Sequence, residues 1–355
     1  METVTYKCPN CDAGLVFSPE KQSFVCEYCR SVFSEAELEK VEQNSTAAGS
    51  PHAVPSGEEA GDAFAAHAAL YTCANCGAEV VTDDTTAATQ CFYCHNPVVL
   101  SGKLSGEYRP QSIVPFAVEK EEVKKRFAEF CRKKHFLRRD FRTEAQAQEL
   151  AGVYLPYWLI DSRLSAKMDA EGTKIRVWKV GDTEYTETKR YHIRREGYVD
   201  FRDFSAAAFS KRTMELARGV LPFDMDKRKP FSMPYLSGFQ AEKRSVERMD
   251  LQNRIHEEMA QAAGRRLDDS VHGYTTVRKD DLQTSVLQED WNHTLLPVWL
   301  MTYRFREKLY YFAMNGQTGK ICGSLPVSGP KLAALFFGVA AGIFALTLLI
   351  GGALL

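Results

Sequence analysis

Apolar positions recur at helical spacing in the stretch 119–134. Val123, Phe127, Phe130 and Cys131 fall at i, i+4, i+7 and i+8, which places them on one face of a helix. The pattern predicts an amphipathic helix that packs on a core. Because free cysteine is commonly buried, Cys131 is interpreted as a core thiol.

A second helix is predicted at 241–267, where Leu251, Ile255 and Met259 fall on one side. Before, between and after the two helices lie segments that are typical of β-strands, and Asn315-Gly316 is a hairpin signal. The strand-like segments are SIVPFAV, TKIRVWKV, TEYTETKRYHIRREGYV, TTVRKDDLQTSVL and KLYYFAMNGQTGKICG.

Two short apolar segments of the body resemble each other. VYLPYWLID and TLLPVWLMT align Pro156 with Pro297 and Trp158 with Trp299, and each follows a helix-bearing stretch. The pair is compatible with an internal duplication, although two short matches do not establish one.

The C-terminal segment 332–355 has no charged residue, and Thr347 is its only polar side chain. As a helix it is about 36 Å long, which exceeds a hydrocarbon core of about 30 Å. The segment therefore predicts a transmembrane tail anchor at 331–355. The preceding basic residues predict a single-pass protein of the cell membrane with its N-terminal bulk in the cytoplasm; they are Arg306, Lys308, Lys320 and Lys331.

Small residues repeat every four positions in this segment, at Ala334, Gly338 and Gly342. This spacing lets two helix backbones approach closely in lipid. We therefore expect contact with membrane lipid and self-association of the tail, the alternative being a plain anchor.

Eight of the ten cysteines form two copies of one frame, Cys-x2-Cys, fourteen residues, Cys-x2-Cys. Two Cys-x2-Cys turns on facing hairpins complete a tetrahedron of thiolates around one metal ion. The polar N-terminus resembles no secretory signal, which favours metal binding over disulfides. The predicted metal ligands are Cys8, Cys11, Cys26 and Cys29, and then Cys73, Cys76, Cys91 and Cys94.

Four thiolates fill the coordination shell, whereas a catalytic zinc keeps one position open for water. The frames therefore predict two structural zinc ions, whose binding supplies folding free energy to small modules. Iron in a rubredoxin-like site is the alternative, because the same ligands accept it.

The charge is divided unevenly along the chain. Residues 1–104 contain five Lys/Arg against fourteen Asp/Glu, while 105–355 contain forty against thirty-two. Because phosphate binding requires clustered Lys/Arg, the acidic cysteine modules are poor candidates for binding nucleic acid. Basic clusters in the body are interpreted as solvated faces or as contacts with anionic lipid.

Enzyme signatures are not recognised in the sequence. Gly102-Lys103 and Gly319-Lys320 lack the first glycine of a P-loop, and the stretch HEEMA lacks the second histidine of a metalloprotease helix. No Gly-x-Ser-x-Gly motif occurs. We therefore expect neither catalytic residues nor an organic cofactor.

These features predict an α+β fold: two N-terminal zinc ribbons, a mixed α+β body and one C-terminal transmembrane helix. The predicted domains are a first ribbon, a flexible Ser/Ala/Gly/Pro-rich linker, a second ribbon, the cytoplasmic body with its possible duplication, and the tail anchor. Their ranges are 1–40, 41–70, 71–104, 105–330 and 331–355.

The segments KCPNCDAGLVF, YLPYWLID, LLPVWLMTYRF and YYFAMNGQTGKICGSLP, with the hydrophobic tail, resemble a family of bacterial membrane-anchored proteins with a TFIIB-type zinc ribbon. Its members are often labelled as similar to the primosomal helicase, a label that the missing P-loop contradicts here. The resemblance implies an adaptor in an envelope-stress system with phage-shock-A-like or SPFH partners.

The sequence thus predicts a non-enzymatic, membrane-anchored zinc-ribbon adaptor. Two alternatives are a membrane-tethered nucleic-acid-binding ribbon protein and a rubredoxin-like electron carrier. The acidic ribbons disfavour the first, and a colourless purified protein would disfavour the second.

Overall fold

The structure is a computed structural model of the chain. It describes residues 3–4, 6–38, 68–72, 79–83, 86–90, 97–100, 108–134, 136–137, 149–209, 214–305 and 308–353.

The N-terminal cysteine module is a small antiparallel sheet. Its strands are β2 (Leu15–Ser18), β3 (Ser23–Cys26) and β4 (Val32–Phe33), in that order, and β1 (Thr3–Val4) precedes them. We call residues 6–38 the first ribbon.

Strands flank the second cysteine frame in two antiparallel pairs. β5 (Ala68–Thr72) pairs with β6 (Glu79–Asp83), and β7 (Thr86–Gln90) pairs with β8 (Pro97–Leu100). The β7–β8 pair joins the sheet of the body, because β7 pairs with a body strand and β8 with β1. The four cysteines of this frame lie outside the described residues.

The body is built on one mixed sheet of eleven strands, which also includes β1, β7 and β8. In chain order its elements are β9 (Ser112–Ile113), α1 (Lys120–Lys133), β10 (Glu149–Val180), β11 (Thr183–Ala207), α2 (Met214–Gly219), β12 (Lys229–Pro230), β13 (Gln240–Glu242), α3 (Arg248–Asp268), β14 (Thr276–Phe305), β15 (Lys308–Asn315), β16 (Ile321–Gly323) and α4 (Gly329–Ala353).

Three long strands continue beyond the body as an antiparallel sheet in the order β11–β10–β14. We call its residues 161–203 and 276–290 the arm. Alternate residues of β10 from Ser162 to Gly172 are buried, while those between them are partly or fully exposed. The hairpin closes at Gly181, whose φ of 62° lies in the left-handed region that glycine adopts without strain.

The buried face of the arm packs against α3. Leu251, Ile255 and Met259 lie in one buried cluster with Leu164 of β10, and further along Ala263 and Leu267 cluster with Ala166 and Met168. Glu247 and the α3 residue Asp250 form a reciprocal capping box that fixes where the helix begins. The helix predicted at 119–134 is confirmed as α1, and Cys131 is buried. The helix predicted at 241–267 is confirmed as α3 from Arg248 onward, and its predicted start is wrong because Gln240–Glu242 form β13.

The body contains two halves with matching contacts, which meet where Leu155 of β10 pairs with Leu296 of β14. β13 lies parallel to β10, just as β9 lies parallel to β14. We call β10, β11, β13 and α3 the arm half, and β9, α1, β14 and β15 the short half.

The aligned tryptophans make the same hydrogen bond in both halves. The indole nitrogen Nε1 of Trp158 donates to the carbonyl of Val246 at 3.1 Å, and that of Trp299 donates to Val118 at 2.9 Å. Each valine lies two residues before the first residue of a helix, α3 or α1. The tryptophan of each hairpin therefore fixes where a helix enters the body.

Backbone hydrogen bonds repeat in the same way. Two amides preceding α3 donate to Ala208 O at 2.9 and 3.1 Å, and two preceding α1 donate to Gly316 O at 2.9 and 2.8 Å. The amide of Ala208 donates to Pro156 O at 3.0 Å, and that of Gly316 to Pro297 O at 2.8 Å. This correspondence is what a duplication would leave, and the duplication itself stays a prediction.

The predicted α+β class is wrong, because the described residues form a mostly β structure built around the mixed sheet. The sequence pattern divided β10 into separate short segments, YLPYWLID and TKIRVWKV. In the structure they are parts of one 32-residue strand. The change from apolar to polar residues marks the point where this strand leaves the core. The strand does not end at that point.

The predicted transmembrane tail is also contradicted. Within α4, side chains are described for 329–344 and for Thr347. Across the described residues, no helix combines the length and the apolar character that crossing a membrane requires. The predictions of a tail anchor at 331–355, of a transmembrane helix in the fold and of a single-pass cell-membrane location are therefore wrong on this finding.

Candidate metal centre

The first Cys-x2-Cys turn lies between Lys7 and Gly14, which form a β-bridge. The amide of Asp12 donates to Cys8 O at 2.9 Å and closes the turn, with Asp12 at a φ of 62°. The amide of Asn10 lies 3.4 Å from Cys8 Sγ and points a donor at the sulfur. Such backbone donors stabilise a thiolate.

The second turn joins β3 to β4 and repeats this geometry. The amide of Arg30 donates to Cys26 O at 2.9 Å, and Arg30 has a φ of 61°. The amide of Cys29 lies 3.5 Å from Cys26 Sγ. Both turns thus aim their thiols toward the space between the two hairpins.

The two turns bring four thiols together. Cys8 Sγ lies 3.5 Å from Cys29 Sγ, Cys11 Sγ lies 3.4 Å from Cys26 Sγ, and all four sulfur atoms lie within 4.8 Å of one another. Zinc–sulfur bonds of about 2.3 Å in a tetrahedron require sulfur atoms about 3.8 Å apart. The cluster therefore has the size and the donor set of a four-thiolate metal site.

The thiols differ in how readily they ionise. Burial raises the pKa of Cys8. At Cys29, hydrogen bonding with the hydroxyl and the backbone of Ser31 lowers the pKa to about 6. Ser31 Oγ lies 3.1 Å from Cys29 Sγ and also accepts from Asn10 Nδ2 at 2.9 Å. Through these hydrogen bonds, Ser31 connects the two turns and favours the thiolate form of Cys29, which is the form that binds a metal.

The ribbon packs into the main core of the body. Phe17 and Phe24 place their rings 5.0 and 5.7 Å from the ring of Tyr235, and all three side chains are buried. Cys8 and Cys26 belong to the same buried cluster as Tyr235 and Phe239. The metal site and the platform therefore share one core.

Polar contacts fix the same interface. Tyr235 donates through its hydroxyl to Glu35 Oε2 at 2.7 Å and accepts from Lys229 Nζ at 3.0 Å. Gly238, with a φ of 89°, approaches Val16 so closely that an added Cβ would lie 2.4 Å from a methyl carbon of the valine. A side chain at this glycine would push the ribbon away.

The structure thus brings together the first predicted quartet. The second quartet, Cys73, Cys76, Cys91 and Cys94, lies outside the described residues. Its sequence places Gly77 directly after the second cysteine, at the position that Asp12 occupies with a positive φ in the first frame. Glycine adopts this conformation at least cost.

Several contributors to the site were not predicted. Ser31 and Asn10 had no distinguishing sequence signal, and Tyr235 is 206 residues from Cys29 in the chain, so only the tertiary fold brings it to the ribbon. Gly338 and Gly342 lie exposed on α4 with open space beside them, and Ala334 is exposed as well. Their self-association stays a prediction.

Comparisons with known proteins give one informative relative. The chain is 30% identical over 341 residues to the uncharacterized protein YdjG of Bacillus subtilis (strain 168), across 96% of this chain and 95% of that protein. No protein-family profile matches the chain. No solved structure matches it either.

Proposed function

The chain belongs to the family of the Bacillus subtilis protein YdjG, and we propose that it is a non-enzymatic, zinc-dependent adaptor that holds protein partners. The observation that carries the proposal is the cluster of four thiols within 4.8 Å, contained in a ribbon that shares its core with the sheet platform.

Zinc is the metal that fits this set of ligands best. Four thiolates at tetrahedral spacing form a closed shell, which leaves no position for a substrate or a water nucleophile. Cys8, Cys11, Cys26 and Cys29 would hold the first ion. The identical spacing of the second quartet supports a second ion, held by Cys73, Cys76, Cys91 and Cys94.

The metal's role is to hold the ribbon on the platform. Binding of structural zinc contributes about 10 to 16 kcal/mol to the folding of small ribbons. Because Phe17 and Phe24 pack on Tyr235, that free energy also stabilises the surface of the body. An adaptor requires such a rigid platform with an extended binding element, and the arm supplies one.

Protein partners fit the charge distribution better than nucleic acid does. Residues 1–40 contain four Lys/Arg and seven Asp/Glu, which repels phosphate. The resemblance of the ribbon and of the Pro-x-Trp segments to TFIIB-type zinc-ribbon adaptors supports partners of the phage-shock-A-like or SPFH class.

The test is partner capture by the full chain in its own host, with in-cell cross-linking and with zinc measured on the same samples. Wild type is compared with Cys26→Ser, and Cys322→Ser serves as the control that removes a thiol outside both frames. We expect Cys26→Ser to lose about one zinc per chain and its partner, and Cys322→Ser to retain both.

Three results would overturn the proposal. The first is a red iron centre in protein purified from the host, which would favour the electron carrier. The second is a wild-type chain that holds its zinc but captures no protein at a stoichiometric level. The third is ribbon-dependent, sequence-selective binding of DNA, which would replace the adaptor with the nucleic-acid alternative.

A further inference from the structure

The outer edge of β11 is open along the arm. β11 pairs with β10 from Val180–Thr183 to Tyr157–Ala207, and no other strand among the described residues pairs with it. Most side chains between Thr183 and Tyr198 are exposed. An edge of this kind presents a row of backbone donors and acceptors that another strand can satisfy.

The short half shows the base of the same edge occupied, at the residues that correspond to 204–206 of β11, and it has no counterpart of 183–198. There β15 takes the place of β11, and β16 pairs antiparallel with its outer side, from Phe312–Gly323 to Met314–Ile321. In the arm half, the chain after β11 forms α2 where the short half has β16. The arm half therefore lacks the strand that its counterpart has.

The charge along the open edge indicates what can cover it. The stretch 189–195 contains Lys189, Arg190, Arg194 and Arg195 and no carboxylate. Arg194 is paired with Asp169 of β10 at 3.0 Å, while Arg190 makes no ion pair or side-chain hydrogen bond with a described residue. Like charges facing each other across strands are unfavourable, so this edge repels a second copy of itself.

We propose that the outer edge of β11 receives an extended acidic segment of a partner protein as an additional antiparallel strand. Main-chain hydrogen bonds supply the affinity. Because side chains alternate between the two faces of a strand, carboxylates on one face of the incoming strand meet Arg195 and Lys189, which already pairs with Glu187 at 3.2 Å, or carboxylates on the other face meet Arg190. This deepens the proposed adaptor function and rests on it. Packing of α3 on the inner face keeps the edge straight before the partner arrives.

An extended peptide fits this surface better than a nucleic acid does. The exposed aromatic rings at the end of the arm already contact each other, since Trp178 and Tyr185 stack with centroids 5.8 Å apart and planes 14° apart. Arg176 lies 5.6 Å from the Trp178 ring. Binding of single strands of nucleic acid relies on aromatic faces that are free to stack with bases.

The experiment uses the full zinc-loaded chain and a fluorescent peptide of alternating Glu and Val, about ten residues long, whose binding is followed by anisotropy. A second peptide has the same side chains but a methyl group on every backbone nitrogen, so it keeps its charge and cannot pair with a strand. We expect the first peptide to bind and the methylated one to bind at least about tenfold more weakly.

The variant Lys189→Glu/Arg190→Glu reverses the edge charge, and Lys124→Glu/Lys125→Glu makes the same change in net charge on α1. We expect the first to weaken binding about tenfold and the second to change it less than about twofold. Amide exchange within 184–196 slows when the peptide is added to wild type.

Any of these outcomes overturns the inference: no binding of the peptide; equal binding of the methylated peptide; equal binding by a single-stranded RNA of the same charge that competes with the peptide; or self-association of the chain that the Lys189→Glu/Arg190→Glu variant abolishes. If that variant still captures the native partner at wild-type level, strand addition fails while the adaptor function stands. If wild type captures no partner, the adaptor function fails.

Discussion

The two halves of the body share the same backbone arrangement but pack different side chains around their tryptophans. In the short half, Phe116 stacks on Phe239 at 4.2 Å and lies 5.1 Å from Trp299. In the arm half, Arg244 takes the position that corresponds to Phe116, and its guanidinium lies 5.1 Å from Trp158. One half encloses an aromatic core, and the other places a cation against its tryptophan.

The strand opposite each tryptophan shows the same difference. Trp299 faces Gly152 across the β10–β14 pair, and Trp158 faces His293. Gly152 leaves room for Phe239, since an added Cβ would lie 2.6 Å from that ring. His293 is instead buried in the corresponding place, at 1% exposure. The arm half thus accepts polar groups where the short half packs rings.

The hairpins differ in length as well. The β14–β15 hairpin ends at Phe305, a few residues beyond Trp299, whereas β10 continues 22 residues beyond Trp158 to Val180. The helix differs in the same direction, with 21 residues in α3 against 14 in α1. The comparison teaches that a shared frame can serve in one half as the closed core and in the other as the base of a projecting binding element.

Among variants that test this difference between the halves, Trp299→Ala should have the largest effect on the free energy of unfolding. Removing the ring opens a cavity beside Phe116 and Phe239 in a closed apolar cluster, so the free energy of unfolding should fall by an amount near the upper end of the roughly 3–5 kcal/mol typical of Trp→Ala. Trp158→Ala should cost less, because Arg244 and His293 regain water when the cavity opens. Urea unfolding measures both. An equal or larger loss for Trp158→Ala would contradict the comparison.

The next effect is a pH dependence that arises at His293, which faces Trp158 across the β10–β14 pair. Burial, with a smaller contribution from the nearby Arg244 charge, lowers the pKa of His293 to about 4. The unfolded chain takes up this proton at about 6.5, so the folded state loses up to about 3 kcal/mol as pH falls from 6.5 to 4.

The variant His293→Gln should flatten this part of the stability profile, because glutamine does not titrate. His272→Gln, at an exposed position, is the matched control and should leave the profile unchanged. Unfolding free energy measured at intervals across this pH window decides the point. A wild-type profile that is flat there, or that His293→Gln leaves unaltered, would show that His293 does not limit stability in acid.

A smaller effect is expected from Asn315→Ala in the short half. Asn315 is fully buried, donates to Val220 O at 3.0 Å and Pro222 O at 3.1 Å, and accepts from the amides of Gln317 and Thr318 at 2.9 Å. The substitution should lower the free energy of unfolding by about 2–3 kcal/mol.

Asn292→Ala is the control for Asn315→Ala, since among the described residues the side chain of Asn292 donates just to the exposed Asp290. It should cost less than about 0.5 kcal/mol. The arm half has Ala207 at the position that corresponds to Asn315, so it cannot form the side-chain hydrogen bonds that Asn315 makes in the short half. If Asn315→Ala unfolds at the same denaturant concentration as wild type, the turn is not held by this residue.

The sequence predicted the local features of the fold well. Helical spacing located α1 and α3, and the cysteine spacing located the first quartet, because both signals depend on neighbouring residues. Asn315-Gly316 correctly predicted the turn between β15 and β16. The alignment of Trp158 with Trp299 pointed to two positions that the structure shows to make equivalent hydrogen bonds.

What depends on distant contacts could not be predicted. Polar residues in 173–199 indicated short strands, but β10 and β11 pair with each other continuously through this range, and β14 and α3 support the part of the arm nearer the body, up to Thr173. Tyr235 has no motif, and it becomes part of the metal module only when Phe17 and Phe24 pack on it. The apolar tail predicted a membrane span from composition alone, and that prediction was wrong on the described residues.

The most direct test of the account is the metal itself, measured on the full chain purified under reducing conditions. Elemental analysis should give two zinc ions per chain, and X-ray absorption at the zinc edge should give a shell of four sulfur atoms at about 2.3 Å. Cys26→Ser should remove one of the two ions. A folded chain that contains no metal, or a zinc shell of nitrogen and oxygen atoms, would contradict the account.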